Sequence, residues 1–425
     1  MSHSRVRFAD YRTALSTPGM AWPVIASVLG RLPMAMVGLS ALLFVQRETG
    51  SFAVAGIVSA GSLVGVALGA VTQGRLIDRF GPTRPLLIVT VLFAVAMAGL
   101  TLAIQAHAPT PALVLLGGGI GITEPMIGSA SRALWGRVVE GAAVRAAALS
   151  YEAISMETFF ILGPGLAGLL AATPWPGTGM VVGGACMVCG ATLFALSPVV
   201  RSWGPAGGGR RPLMGALASP GMRTLALAVL GFGIVIGFVE VAVPAAATEA
   251  GSPMVGGVLL SLWSVSSVAF GVAYSLRPVP HRMSLRLPVL LGAFGALIAL
   301  SAWPSTLWGL GLALLAAGAM ITPQSATHSA AIEIVAPEGT AAEAFGWVLT
   351  AVTLGLAVGQ SASGYLVEHA GPAASFLAAA GVGVALAAVV WLLRGTIGPA
   401  RAKPTRRDRL TDGTAEEIAD EIAAA

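Results

Sequence analysis

Gly74-Arg75-Leu76-Ile77-Asp78-Arg79-Phe80-Gly81-Pro82-Thr83-Arg84 is a short charged interlude between two long apolar runs. Gly81 permits the positive φ that a sharp reversal needs, and Gly74 would let two helix ends approach closely. Asp78 suits a helix N-terminus, where its charge meets the positive end of the dipole. Arg79 and Arg84 can bridge to acids or lipid phosphates. The runs on either side are long enough to cross a hydrocarbon core about 30 Å thick, which takes roughly 20 apolar residues in helix. The stretch therefore reads as a tight turn between two membrane helices, and the fold follows from how often that pattern repeats.

It repeats throughout the 425 residues, of which 56% are hydrophobic and only 10% charged, with a mean hydropathy of +0.84. A soluble globular chain carries about 25% charged residues, so charge is too scarce here to coat a water-facing surface. Disordered chains are poor in Leu, Ile, Val and Phe, which are abundant here, so disorder is excluded as well. Twelve apolar spans are expected, at 20–44, 52–73, 85–105, 111–131, 147–171, 177–199, 222–247, 253–275, 286–303, 305–328, 343–367 and 372–394. Basic residues in short loops stay on the cytoplasmic side of a membrane. With the N-terminus inside, 22 of the 24 basic residues fall in inside segments, leaving Arg47 in an outer loop and Arg31 within a span. A wrong span count would scramble that alternation. The expectation is a multi-pass protein of the cell's cytoplasmic membrane with both termini in the cytoplasm.

The first span is too long for a cleaved signal peptide, and Arg31 interrupts it. Composition divides the chain into a cytoplasmic N-terminal segment (1–19), a six-helix bundle (20–199), a cytoplasmic linker (200–221), a second six-helix bundle (222–394) and a cytoplasmic tail (395–425). In that tail Thr414-Ala415-Glu416-Glu417 has the pattern of a capping box. The two bundles resemble each other. Ser51-Phe52-Ala53-Val54-Ala55-Gly56 is matched by Ser252-Pro253-Met254-Val255-Gly256-Gly257, and Ile122-Thr123-Glu124-Pro125 by Ile321-Thr322-Pro323. Six-helix halves in the same orientation are parallel repeats related by an axis along the membrane normal, with a cavity between them near midplane.

The stretch 74–84 resembles the loop signature of the major facilitator superfamily, G-x-L-x-D-R-x-G followed by basic residues, and it lies between the second and third spans as in that family. The sequence departs from the signature at Pro82 and Thr83, and the corresponding loop from Tyr274 to Arg282 is degenerate. The resemblance implies an all-α membrane fold of twelve helices in two pseudo-symmetric bundles, of the drug or small-molecule efflux type. It also implies that Gly74, Asp78, Arg79, Gly81 and Arg84 form a cytoplasmic gate whose contacts hold the outward-facing state. Glu343, opening the eleventh span, is near enough to pair with the Arg79 loop. Gly163-Pro164-Gly165-Leu166-Ala167-Gly168 in the fifth span is similar to the G-P-x-x-G-G motif of the superfamily's antiporters, with Ala167 in place of one glycine. Read from the residues alone, Pro164 kinks the helix while Gly163 and Gly168 allow close packing.

Ionisable groups inside a bilayer cost about 2.5 to 3.5 kcal/mol each on insertion scales, so they persist where they face a cavity or a partner. Arg31 lies about 16 Å into the first span at 1.5 Å per residue. It is always protonated and needs an acid or several carbonyls, with Glu124 or Glu157 as the expected partner. A carboxylate whose surroundings change between wet and dry takes up or releases a proton. Proton coupling is accordingly expected at one of Glu124, Glu157 and Glu240 in the central cavity, with Arg31 tuning it. Glu152 and Glu157 are five residues apart and point in different directions around their helix. Trp263 and Gln324 are candidate lining residues for the substrate, while His328, Cys186 and Cys189 read as packing groups.

The expected function is proton-coupled antiport exporting a small organic molecule by alternating access. A symporter importing a nutrient is the alternative on the same scaffold. A membrane enzyme is distant, because no clustered catalytic set and no metal-spaced His or Asp group occurs in the sequence. No cofactor and no metal are expected. The partners are a small-molecule substrate, protons and the lipid bilayer, without nucleic acid, and the chain is expected to be monomeric.

Overall fold

The computed structural model describes residues 8–204, 215–275, 283–337 and 340–397. The linker after residue 204, most of the degenerate loop before Arg282 and the basic tail with its capping box lie outside them. Among the described residues every regular element is a helix. Membrane-length segments are α1 (Ala21–Thr49), α2 (Phe52–Ile77), α3 (Thr83–Gln105), α4 (Thr110–Val138), α5 (Ala143–Ala171), α6 (Thr178–Leu196), α7 (Pro220–Glu249), α8 (Pro253–Tyr274), α9 (Met283–Ala302) and α10 (Leu307–Val335). The continuous segment Glu343–Leu392 holds two more helices, because Gly371 at φ +80° turns the chain before Pro372. We label them α11 (343–370) and α12 (372–392). Twelve spans result, and a short helix at Phe8–Leu15 precedes them.

Several spans are interrupted within the membrane. Helix α1 is divided at Leu32-Pro33, α4 at Glu124-Pro125-Met126, and α10 at Ala319-Met320. Proline removes a backbone donor and clashes with the preceding turn, so Pro33 and Pro125 account for the first two breaks. The breaks in α4 and α10 fall at the two copies of the Ile-Thr repeat. Small residues bring helices together closely within the first six: a Cβ on Gly121 of α4 would stand 1.9 Å from the Ser62 carbonyl oxygen of α2.

The first six helices meet the last six chiefly through α2 on α11 and α5 on α8. The tightest of these approaches lie at one end of the bundle. A Cβ on Gly56 would stand 2.4 Å from the Gln360 carbonyl oxygen, and one on Gly257 would stand 2.2 Å from that of Pro164. At the same end Glu368 of α11 reaches the start of α2, accepting from Ser51 Oγ at 2.5 Å and from the Ala53 amide at 3.0 Å. A carboxylate is well placed there, since the first amides of a helix lack intrahelical partners. This is the sealed end.

The opposite end carries the turn at residues 78–84 and is looser. Gly74 of α2 and Gly346 of α11 have open space where a Cβ would stand. Leu76, Leu149, Phe270, Phe345 and Leu349 on the same four helices are exposed. Replacing Gly257 by Val would force α5 and α8 apart at the sealed end. The expected result is severalfold faster reaction of a cysteine placed at Ser261 with a water-soluble maleimide, relative to the same cysteine beside native Gly257.

Candidate functional site

Arg31 ends the first piece of α1 and is 1% exposed. Its partner is neither Glu124 nor Glu157. Nη1 donates to Oε2 of Glu152 on α5, and Nη2 donates to the Glu152 carbonyl oxygen at 3.3 Å. The other carboxylate oxygen accepts from Ser131 Oγ at 2.7 Å and Trp135 Nε1 at 2.8 Å, both on the second piece of α4. The Arg31 guanidinium lies 5.6 Å from the centre of the Phe159 ring. Every oxygen of the Glu152 carboxylate is engaged, so this network ties α1, α4 and α5 together as a static staple. Its signal in the sequence is Ser131 and Trp135, two donors four residues apart on one helix face.

Glu124 occupies the break in α4, between helical pieces ending at Thr123 and resuming at Ile127. An interrupted helix leaves carbonyls and amides that lipid cannot satisfy. Gln73 of α2, 2% exposed, satisfies them from the side. Its Nε2 donates to the carbonyl oxygens of Ile122 at 3.1 Å and Glu124 at 2.8 Å, and its Oε1 accepts from the Met126 amide at 3.1 Å. One amide side chain thus pins the backbone on both sides of Glu124. The Glu124 carboxylate itself accepts no hydrogen bond from the described residues. It lines a cavity of about 110 Å³ together with residues of α1, α2 and α3 and, from the last six helices, Gln360 of α11.

Gln360 connects a second acid to that cavity. Its Nε2 donates to Oε2 of Glu240 on α7 at 2.6 Å, so Glu240 stands one hydrogen bond behind the lining. Of the three expected acids, Glu124 lines the cavity and Glu240 is linked to it through Gln360. Glu157 is part-buried on α5, has no polar partner among the described residues and does not line this cavity. Trp263 and Gln324 sit in closed packing within the last six helices rather than on the cavity. Trp263 is stacked at 6.3 Å on Phe294, and Gln324 is 0% exposed. His328 is buried with its ring edge-on to Phe232. Among the described residues no three His, Cys, Asp or Glu side chains gather as a metal site.

With this geometry in place, the sequence matches the profile of the Major Facilitator Superfamily over residues 24–341. The chain belongs to that superfamily. No curated protein matches it in sequence. Among solved structures it is similar to the nucleoside transporter NupG, at 14% identity and a TM-score of 0.72, covering 88% of this chain and 99% of that one. It is also similar to a bacterial homologue of the human lysosomal transporter Spinster in an inward-facing and unoccupied conformation, at 16% identity and TM-score 0.66, covering 91% and 100%. A third is a POT family transporter in complex with 5-aminolevulinic acid, at 14% identity and TM-score 0.68, covering 89% and 96%. These likenesses show the shared helical fold, and membership of the superfamily makes the chain a transporter rather than an enzyme.

The superfamily's loop signature is placed as follows. Gly81 adopts φ +77°, the left-handed turn expected of it. Asp78 lies in the last turn of the helix Phe52–Phe80 rather than at a helix N-terminus, and Gly74 makes no close helix approach. Arg79 is exposed with its guanidinium 5.1 Å from the ring centre of its neighbour Phe80, and Arg84 is exposed. Glu343 accepts from the Ala216 amide at 3.0 Å and from Trp347 Nε1 at 3.3 Å, so it is engaged with its own half and not with Arg79. In the antiporter-like motif, Gly163 packs on Ala35 of α1, while Pro164 and Gly168 meet Gly257 of α8 at the sealed end.

Removing one partner of a buried ion pair costs about 3–5 kcal/mol, whereas replacing both by apolar groups of similar size is often neutral. Arg31→Met is expected to destabilise the folded protein by about that amount, and Arg31→Met with Glu152→Leu to recover most of it. Thermal unfolding in detergent measures both.

Proposed function

We propose that this chain is a secondary active transporter that exchanges protons for a small organic molecule, exporting the molecule by alternating access. Glu124 carries the reading. It is a carboxylate at a helix break, without a polar partner among the described residues, lining a cavity to which both groups of six helices contribute. An acid so placed changes its protonation when the surrounding helices change its access to water. Glu240, joined to the same cavity through Gln360, is the second candidate for carrying the proton. Glu157 is the third, on the helix that holds Pro164. Arg31 does not tune these groups directly, because Glu152 already neutralises it.

In this reading the bundles 20–199 and 222–394 rock as units, joined by the linker 200–221. Both termini lie in the cytoplasm, the protein works as a monomer in the cytoplasmic membrane, and the end bearing residues 74–84 faces inward. The sealed end is then external, and the molecule is caught opening toward the cytoplasm. Contacts between the Arg79 loop and Glu343 belong to the opposite, outward-facing state. Antiport is favoured over symport because Pro164 and Gly168 of the antiporter-like motif are the residues on which α5 and α8 close. Trp263 and Gln324 act on the substrate through the packing of α8 and α10 rather than by direct contact.

The test is movement of a compound panel across proteoliposome membranes under pH gradients of each sign. A substrate is expected to move against the direction of proton flow. Glu124→Gln is expected to reduce that movement to the rate seen at equal pH. Undiminished gradient-driven movement in Glu124→Gln would remove this residue from the mechanism.

A further inference from the structure

The cavity that Glu124 lines carries one acid and no cation. Its polar lining is Ser59, Ser62, Glu124 and Gln360, and none of the lining residues is Lys, Arg or His. The amide of Gln360 is the discriminating group. Gln360 Nε2 donates to Glu240 Oε2, so the NH2 end of the amide faces α7. That fixes which way the amide is turned and leaves Oε1 unclaimed. The side chain is 8% exposed, and Oε1 is buried with no hydrogen-bond partner. Glu124, supplied by the first six helices, likewise has no polar partner among the described residues. Arg31 is ion-paired with Glu152 and is not among the residues lining the cavity.

The geometry points to a ligand that presents a positively charged hydrogen-bond donor, an ammonium or amidinium group, to Glu124 of α4 and Gln360 Oε1 of α11. The inference rests on the cavity being the substrate site of the proposed transporter. Glu240 acts in it as a positioning residue: it touches Gln360 and not the ligand, and it holds the amide with its acceptor free. A cavity of about 110 Å³ accommodates the charged end of such a molecule. Because α4 and α11 belong to different halves, a ligand bound to both joins them just beneath the seal formed by Gly56 and Gln360.

Phenethylammonium, 2-phenylethanol and phenylacetate form a matched cation, neutral and anion set for calorimetric titration onto the purified full-length protein. Phenethylammonium is expected to bind at least about tenfold more tightly than the other two, a difference of about 1.4 kcal/mol or more. Glu124→Gln and, separately, Gln360→Met are each expected to abolish that preference. Glu240→Gln lets the amide turn, so it is expected to narrow the preference for the cation over the alcohol, and Glu240→Asp to restore it. A merely structural role for Glu240 would not move that ratio. Equal binding of the three probes, tighter binding of the alcohol or the anion, or no binding of phenethylammonium would overturn the inference. Phenethylammonium binding without gradient-driven transport would support this inference and defeat the coupling. Gradient-driven transport of neutral or anionic compounds without phenethylammonium binding would do the reverse.

Discussion

A helix that stops in mid-membrane exposes backbone groups that lipid cannot satisfy, and at residues 124–126 of α4 a single side chain, Gln73, takes up three of them. Without that closure the break would leave buried donors and acceptors unpaired, at about 1–3 kcal/mol for each group. With it, the chain can carry Glu124 into the interior at a fixed place without a counter-charge. Gln73 directly precedes Gly74, so the side chain that closes the break is continuous with the turn at the looser end. Positioning of the acid and the geometry of that turn thus share one helix.

The two buried charge systems do different work, and the difference lies in their hydrogen bonding. Glu152 is surrounded by four donor contacts from Arg31, Ser131 and Trp135, so its charge is held rigidly and contributes to the packing of α1, α4 and α5. Glu124 and Glu240 are under-coordinated by comparison and sit where the two halves of the chain face one another. The close approach of α2 to α11 and of α5 to α8 depends on glycine at positions 56 and 257, which brings backbones within reach at one end only. Glu368, accepting from the start of α2, adds a polar contact across the same seam.

The fold was legible because hydropathy and the alternation of arginine-bearing loops are long-range signals that tolerate errors of several residues. The positive φ at Gly81 was legible too, since a turn that only glycine adopts readily is a local signal. The partner of Arg31 was not: choosing between Glu152 and Glu157 requires the rotational phase of α5 against α1, and depth alone carries no phase. Gln73 and Gln360 escaped for another reason. Neutral amides leave no mark on charge counts, and their roles depend on which backbone groups lie opposite. Trp263 and Gln324 looked like cavity residues on polarity, yet stacking on Phe294 and complete burial place them in closed packing. Glu343 faces Ala216 because the turn before α7 offers a free amide there.

Protonation of Glu124 as the event that biases one arrangement of the halves over another is most directly tested by distance. Spin labels at Leu76 of α2 and Phe345 of α11, in a background with Cys186 and Cys189 replaced, report the separation at the looser end. Between about pH 5.5 and about pH 8.5 the distance distribution is expected to shift in the native protein. In Glu124→Gln it is expected to stay fixed at one arrangement across that range. A pH-dependent shift of the same size in Glu124→Gln, or none in the native protein, would contradict the account.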